Sequence, residues 1–431
     1  MCAPRSTGAF DRGLAEVRAG RRTLLQAGAA GLVFSAAAGL PEVATAAGAG
    51  TRKRAYVLVV DGCRPDEIDS DLTPNLRALR DGGLHYPRAS SMPIAETIPN
   101  HVMMMTGMRP DRTGVPANAI YDRLSGGVRD LDRPTDIKVQ TIIQRMNRRG
   151  LRTGTVLSKE YLYGVFGGRA TYRWEPAPIV PISGHAPDIF TMRAALDMLD
   201  EMDPHLMFVN LGDIDRFGHV DLTGGSLRLL RRTALAGTDQ LVGRFVDRLK
   251  ETGRWDHSIV IVLADHSMDW STPGNIVRLQ PVLDADPLLA GNVQIADNGG
   301  ADLVYWTGPA DQRSRAVARI VQLASAVPGV LTARDRRSRS LRLGPEAGDV
   351  VVYCQAGWRF SDPDVFSNPI PGNHGHPATR SIPFFIGGGH RLVPRGKASS
   401  DHAKTIDVAP TLARFFGTGV PKRGYDGRSR L

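Results

Sequence analysis

The sequence predicts an α/β protein, with three α/β/α layers around a mostly parallel central sheet and a smaller inserted lobe. Three observations lead there. From Ala55 onward, short β-branched apolar runs alternate with segments of helical period. The chain has 431 residues of which 42% are apolar, enough to bury a core on both faces of a sheet. Carboxylates follow three of the apolar runs, and in open α/β sheets ligands gather where strands end.

The first fifty residues differ from the rest. Arg21-Arg22 leads into the apolar, Ala/Gly-rich run Leu24–Leu40, and Ala44-Thr45-Ala46 supplies small residues for cleavage. Residues 1–46 are therefore expected to be a twin-arginine export signal, which sends 47–431 to a secreted, periplasmic or cell-wall space. Ala55–Val60 reads as a buried strand, and Leu72–Arg80 as a helix with Pro74 in its first turn and Gly82-Gly83 after its end. Further strands are expected at Thr153–Leu157, His205–Leu211, Ser258–Ala264 and Ile382–Ile386. Helices are expected at Val139–Arg149, Leu227–Lys250 and Val408–Phe416. Between about Ser271 and Asn368 the pattern loosens into Gly/Pro-rich loops, a helix over Arg313–Val327 and short strands at Ser340–Leu343 and Asp349–Tyr353; this is the expected inserted lobe.

Formal charge is +10, falling to about +8 without the export signal, an excess that favours anionic partners. Apart from Arg228–Arg232 and Arg334–Arg342 the basic residues are scattered, without the interleaved aromatics of a nucleic-acid platform, and they read as solvated surface. Beyond the signal no stretch is long and apolar enough to span a bilayer. Only Cys63 and Cys354 follow the signal, which leaves one disulfide open.

The chemistry lies in where acids and histidines fall. Asp61 directly follows Ala55–Val60, Asp213 and Asp215 follow His205–Leu211, and Asp265-His266 follows Ser258–Ala264. Like charges gathered at one sheet edge repel, so a metal is the natural reason for their convergence. Asp215 and His219 are four residues apart, one helical turn, and so share a face. Gly372-Asn373-His374-Gly375 presents an imidazole on flexible backbone. In Glu96-Thr97-Ile98-Pro99-Asn100-His101, Thr97 fits a helix N-cap and Pro99 the first turn, placing a hydroxyl at the positive end of a helix. Threonine attacks at neutral pH only when a metal or base lowers its pKa.

Taken in order, Asp61-Gly62, Thr97-x-Pro-Asn100-His101, Asp215-x-x-Gly-His219, Asp265-His266 and Gly-x-His374-Gly resemble the alkaline phosphatase superfamily, most closely its nucleotide pyrophosphatase/phosphodiesterase branch. The resemblance spans about Ala55 to Phe416 and implies an alkaline phosphatase-like fold. It implies two zinc ions, one held by Asp215, His219 and His374, the other by Asp61, Asp265, His266 and the Thr97 oxygen. It further implies phosphoester hydrolysis through a phospho-threonine at Thr97, with Asn100 donating to a phosphate oxygen, on small phosphate esters such as nucleotides or other phosphodiesters. Ser158-Lys159-Glu160-Tyr161 stands where threonine-dependent monoesterases of the superfamily carry Lys-x-Arg and phosphonate hydrolases Lys-x-Lys. Lys159 is expected either to reach a phosphate oxygen or to face solvent, and Tyr161, with Tyr163 and Phe166, either to offer part of an apolar wall for the second ester substituent or to belong to the core. A phosphate monoesterase or phosphonate hydrolase is the rival activity, and a non-catalytic metal- or phosphate-binding protein the alternative of another class.

Overall fold

A computed structural model describes residues 52–68, 71–179, 184–362 and 370–431; the expected export signal lies outside them. The first strand, β1 (Arg54–Val60), is buried along its whole length, as its unbroken apolar run requires of a strand covered on both faces. It lies inside an eight-stranded sheet with β2 (Leu84–His85), β3 (Thr153–Leu157), β4 (Tyr172–Trp174), β5 (Leu206–Leu211) and β6 (Ser258–Leu263). The same sheet contains two later strands, Phe384–Gly387 and Lys397–Ala398, in the order 397–398, β2, 384–387, β6, β1, β5, β3, β4. Strand 384–387 alone runs antiparallel to its neighbours; all the other pairings are parallel.

The α-helices of six or more residues among the described residues are α1 (Pro74–Gly82), α2 (Thr97–Thr106), α3 (Ile142–Asn147), α4 (Glu160–Phe166), α5 (Asp188–Glu201), α6 (Asp213–Val220), α7 (Leu229–Glu251), α8 (Arg313–Ser325) and α9 (Val408–Phe416). Around α7 pack α1, α5 and α6, whereas α2 packs with α3, α4 and α9, so the sheet is sandwiched between two helical layers. Later strands lie on both sides of β1, which makes its carboxyl end a topological switch point.

A second sheet is fully antiparallel: β7 (Val293–Asn298), β8 (Ala301–Trp306), β9 (Val330–Asp335) and β10 (Val350–Cys354), ordered β7-β8-β10-β9. With α8 it encloses its own buried cluster, including Ile295, Val304, Ile320 and Val352. The helix over 313–325 and the strand over 350–354 match the sequence expectation closely, but β7, β8 and β9 were not foreseen. Asp297 and Asp302 interrupt their apolar runs, and the β7–β8 turn is Gly299-Gly300, the first at φ +67°. Ser340–Leu343 is turn and coil rather than strand. Leu341 and Leu343 are buried in alternation, but Arg342 between them has φ +49°, which breaks an extended run.

Cys63 and Cys354 are separate, buried free thiols, so the disulfide left open by the sequence does not form. Arg231, in the run read as solvated surface, is buried. Its guanidinium is paired at 2.6 Å with both oxygens of Glu67 and donates to the carbonyls of Gly62 and Ile214. It thereby fastens the turn after β1 to α6. No helix among the described residues is long and apolar enough to cross a membrane.

Candidate active site

Because β5, β1 and β6 are adjacent, the acids after them meet at one edge of the sheet. Asp61 and Asp265 are fully buried and Asp215 nearly so. Gly62 turns the chain at φ +71° and donates its N–H to Asp265 Oδ1 at 3.2 Å; a Cβ there would come within 3.0 Å of the Asp215 Cβ. Asn210, the penultimate residue of β5, donates to Asp61 Oδ2 at 2.8 Å. Asp213 points elsewhere, towards His185 at 3.3 Å and the Asp188 N–H at 3.0 Å.

Three histidines join these carboxylates, each oriented through Nδ1. His219 contacts the Gly372 carbonyl at 2.8 Å and His266 the Ser267 carbonyl at 3.0 Å. His374 is held by Glu96 Oε1 at 3.1 Å and the Ala95 carbonyl at 3.2 Å. Each Nε2 is left facing the acids: His219 Nε2 lies 3.4 Å and His374 Nε2 3.9 Å from Asp215 Oδ1, and the two nitrogens are 3.1 Å apart. His266 Nε2 lies 3.7 Å from Asp61 Oδ1 and 3.5 Å from Asp265 Oδ2. The pairing of Asp269–Trp270 with Gly372–Asn373 brings the His374 loop in, and Gly372 sits so close to α6 that a Cβ would fall 2.4 Å from His219 Cα.

Thr97 is buried, with Oγ1 3.2 Å from His266 Nε2. It is the first residue of α2, and Glu96 rather than Thr97 occupies the N-cap. Glu96 spends its carboxylate on His374, and the threonine hydroxyl turns to His266 instead of capping. His101, one turn on, is placed near Asp61 and Asp265. Both its nitrogens are occupied, Nδ1 by the Thr97 carbonyl at 2.9 Å and Nε2 by Asn210 Nδ2 at 3.2 Å, so it orients Thr97 and Asn210.

Two sequence expectations need correction. Asn100 does not face a phosphate site: its Oδ1 accepts from the Met92 N–H and Thr405 Oγ1, and its Nδ2 donates to the carbonyls of Ile94 and Glu96. Buried and fully engaged, it braces the loop before α2. Lys159 neither faces solvent nor reaches for substrate. Its buried Nζ lies 2.7 Å from Asp61 Oδ1 and 2.7 Å from Asp215 Oδ2, linking one carboxylate from each expected metal set. Tyr161 is half-buried beside it, the ring centroid 5.9 Å from Nζ, whereas Phe166 is a core residue against His101 and Phe208.

One residue near Thr97 was missed. Asn118 Oδ1 accepts the Ile98 N–H at 2.8 Å, and no described residue accepts from its Nδ2. The next residue, Ala119, exchanges hydrogen bonds with the Asn298 side chain at the end of β7. The clue in sequence was faint: an asparagine in a loop, 21 positions beyond Thr97.

The electrostatics follow from burial. Burial raises the Asp61 carboxyl, and the Asp265 charge adds to this. Burial opposes ionisation of Asp215, but Lys159 and then His219 hold it well below the usual carboxylate range. Burial and then His374 depress His266. Burial would also depress His374, but the Glu96 charge and hydrogen bond outweigh it and raise the imidazole to about 9.

Asp215 Oδ1 and Asp265 Oδ2 are buried without a hydrogen bond among the described residues, and Asp61 Oδ1 has only the ion pair to Lys159. Buried polar atoms are almost always satisfied, so the unbonded oxygens of Asp215 and Asp265 and the oxygen of Asp61 that meets only the Lys159 ammonium, beside three imidazole Nε2 atoms, fit divalent cations. Asp215, His266 and His374 present ligand atoms within 4.8 Å of one another, and Asp61, His101 and Asp265 do the same. All seven residues expected at the metals therefore converge. The grouping differs in that His266 stands between the two sets, its ring stacked on His374 at 3.7 Å.

The chain is similar to several known proteins. Bovine ectonucleotide pyrophosphatase/phosphodiesterase family member 3 is 26% identical over 233 residues, covering 49% of this chain and 24% of its own length. The chain thus matches about a quarter of that relative. Mouse bis(5'-adenosyl)-triphosphatase is 24% identical over 387 residues, covering 84% of this chain and 77% of its own. Among solved structures, murine ectonucleotide pyrophosphatase/phosphodiesterase 5 in an inactive form with AMP superposes with TM-score 0.69 at 19% identity, covering 86% of this chain and 97% of that one. Phosphonoacetate hydrolase from Sinorhizobium meliloti, with phosphonoformate, gives 0.66 at 18%, covering 86% and 96%. The family model described as type I phosphodiesterase/nucleotide pyrophosphatase matches residues 55–376, three-quarters of the sequence, and the chain belongs to that family.

Proposed function

We propose that this protein hydrolyses small phosphodiesters, nucleotides among them, with Thr97 as the attacking group and two divalent cations, zinc by the chemistry of the ligands, as cofactors. One observation carries the reading: Thr97 Oγ1 lies 3.2 Å from His266 Nε2, which itself stands 3.7 Å from Asp61 Oδ1 and 3.5 Å from Asp265 Oδ2 in the buried cluster of carboxylates and histidines. Asp215, His219 and His374 would hold one cation, and Asp61, Asp265 and His266 the other. Bound there, the cations supply charge that favours the alkoxide form of Thr97 and neutralises the phosphoryl oxygens.

The chain's own residues do the rest. Thr97 Oγ1 attacks phosphorus in line, the leaving alcohol departs, and a phosphorylated threonine is hydrolysed in a second displacement. His101, bonded to the Thr97 carbonyl, and the α2 backbone hold the threonine main chain in place. Asn118 takes the role first given to Asn100: its amide oxygen is anchored on the Ile98 N–H, so Nδ2 is the donor available to a phosphate oxygen. Tyr161 forms part of the wall for the second substituent. Residues 271–368 act as an inserted lobe whose β7 end, through Asn298, positions the Asn118 loop. Residues 1–46 direct export.

Two relatives support a nucleotide-type substrate: one is a bis(5'-adenosyl)-triphosphatase, and one solved neighbour, inactive as a threonine-to-alanine form, holds AMP. The phosphonoacetate hydrolase neighbour favours the rival activity. Against it, Lys159 is committed to two carboxylates, and Tyr161 replaces the second basic residue. Second-order rate constants on matched aryl mono- and diesters test the choice. A preference for the diester by orders of magnitude is expected, and a preference for the monoester or phosphonate would reverse the assignment.

A further inference from the structure

Away from these carboxylates, a cavity of about 750 Å³ opens at the seam between the main body and the four-stranded sheet. Its lining includes Arg109, Arg380 and Lys404 from the main body and Arg334 from β9, and it contains no carboxylate. None of the four cationic side chains has a hydrogen bond or ion pair with a described residue, and Arg380 Nε is buried in that state. The nearby acids are already committed. Asp426 is paired with Arg112 and Arg342, Asp111 with Arg342, and Asp407 with Arg430.

Three half-buried cations and the exposed Arg334, gathered around one cavity and none paired with a carboxylate, raise the electrostatic energy of the folded chain, and a bound anion relieves it. Burial first, and then neighbouring guanidiniums including that of Arg380, draw Arg109 and Lys404 below their ordinary values. The cavity is larger than a single phosphate needs and lies within the range of small-molecule sites. Its one aromatic, Tyr353, has its hydroxyl tied to the Pro93 carbonyl at 3.0 Å, so the site offers charge rather than a stacking surface.

We propose that this cavity binds a small, multiply charged oxyanion of the pyrophosphate class, at a site separate from Thr97. Arg334 lines it from the four-stranded sheet and Lys404 from the main body. It does not depend on the hydrolase reading, because none of its lining residues belongs to the carboxylate and histidine cluster.

Inorganic pyrophosphate titrated into the full-length chain by calorimetry tests this, with Arg334→Gln and Lys404→Gln as variants. Arg334 is exposed, so its replacement leaves the fold in place. Saturable binding is expected, weakened about tenfold by each variant, the value of one charge-assisted hydrogen bond. Binding should also fall with added salt, while turnover of an aryl phosphodiester by Arg334→Gln stays at the wild-type level. The proposal is overturned if wild-type protein shows no saturable binding or both variants bind pyrophosphate like wild type. Complete displacement of pyrophosphate by the aryl phosphodiester would overturn it too, by placing the anion at Thr97.

Discussion

Replacing Lys159 with methionine, nearly its equal in length, probes how the buried acids are held together. In the metal-free chain Lys159 Nζ is 2.7 Å from both Asp61 and Asp215, and all three side chains are buried. Removing one partner of a buried ion pair costs about 3–5 kcal/mol, because the charge left behind has no compensation. For a folded region of this size, that lowers the melting temperature by about 4–6 °C. On the proposed reading, divalent cations would take over the neutralisation, and without Lys159 they would no longer compete with a fixed positive charge. Thermal unfolding should therefore show metal-free Lys159→Met melting below wild type, with a larger rise than wild type on adding zinc. If the metal-free proteins melt together, or zinc raises both equally, Lys159 does not bridge the two sets and the geometry assigned to it is wrong.

Two further outcomes follow from the same structure. Gly62→Ala forces a Cβ to within 3.0 Å of Asp215 at φ +71°. It should weaken zinc binding about tenfold, as when a residue supporting a metal ligand is lost, with the circular dichroism spectrum unchanged; full zinc occupancy at wild-type affinity would show that the turn has slack. Asp203 pairs with buried Arg54 at 2.7 Å. Burial works against its ionisation, but the Arg54 hydrogen bonds hold its carboxyl below the usual range. The stability from this pair is present above the unfolded carboxylate value of about 3.9 and is lost as pH falls through the lower folded value. Asp203→Asn should thus cost about 3 kcal/mol in urea unfolding at neutral pH, the low end for a broken buried pair, and progressively less in acid; a pH-independent difference would contradict this.

The convergence of the acids and histidines was legible because strand ends are. An apolar run followed at once by Asp61, or by Asp265-His266, fixes where the carboxylate stands before any tertiary contact is known, and parallel pairing brings those ends together. Residues whose role depends on a partner far along the chain were not. Lys159 was read as meeting solvent or phosphate, since only the folded sheet puts Asp61 and Asp215 on either side of it. Asn100 matched a motif, yet its amide is used up on Met92, Ile94, Glu96 and Thr405. Asn118 matched none and stands next to Thr97. Glu96 looked like a neighbour of the threonine, and its partner, His374, is 278 residues away. Arg231 sat in a basic run that hid its burial against Glu67. In the second sheet, β7 and β8 carry buried or half-buried aspartates that interrupt the alternation on which strand reading depends.

The role of Thr97 is tested most directly by rapid acid quench of the zinc-loaded enzyme turning over an aryl phosphodiester, followed by peptide mass spectrometry. A phosphoryl group carrying the retained ester substituent should appear on the Thr97 peptide, and it should vanish, together with turnover, in Thr97→Ala. A label on any other residue, or turnover that survives Thr97→Ala, would contradict the account.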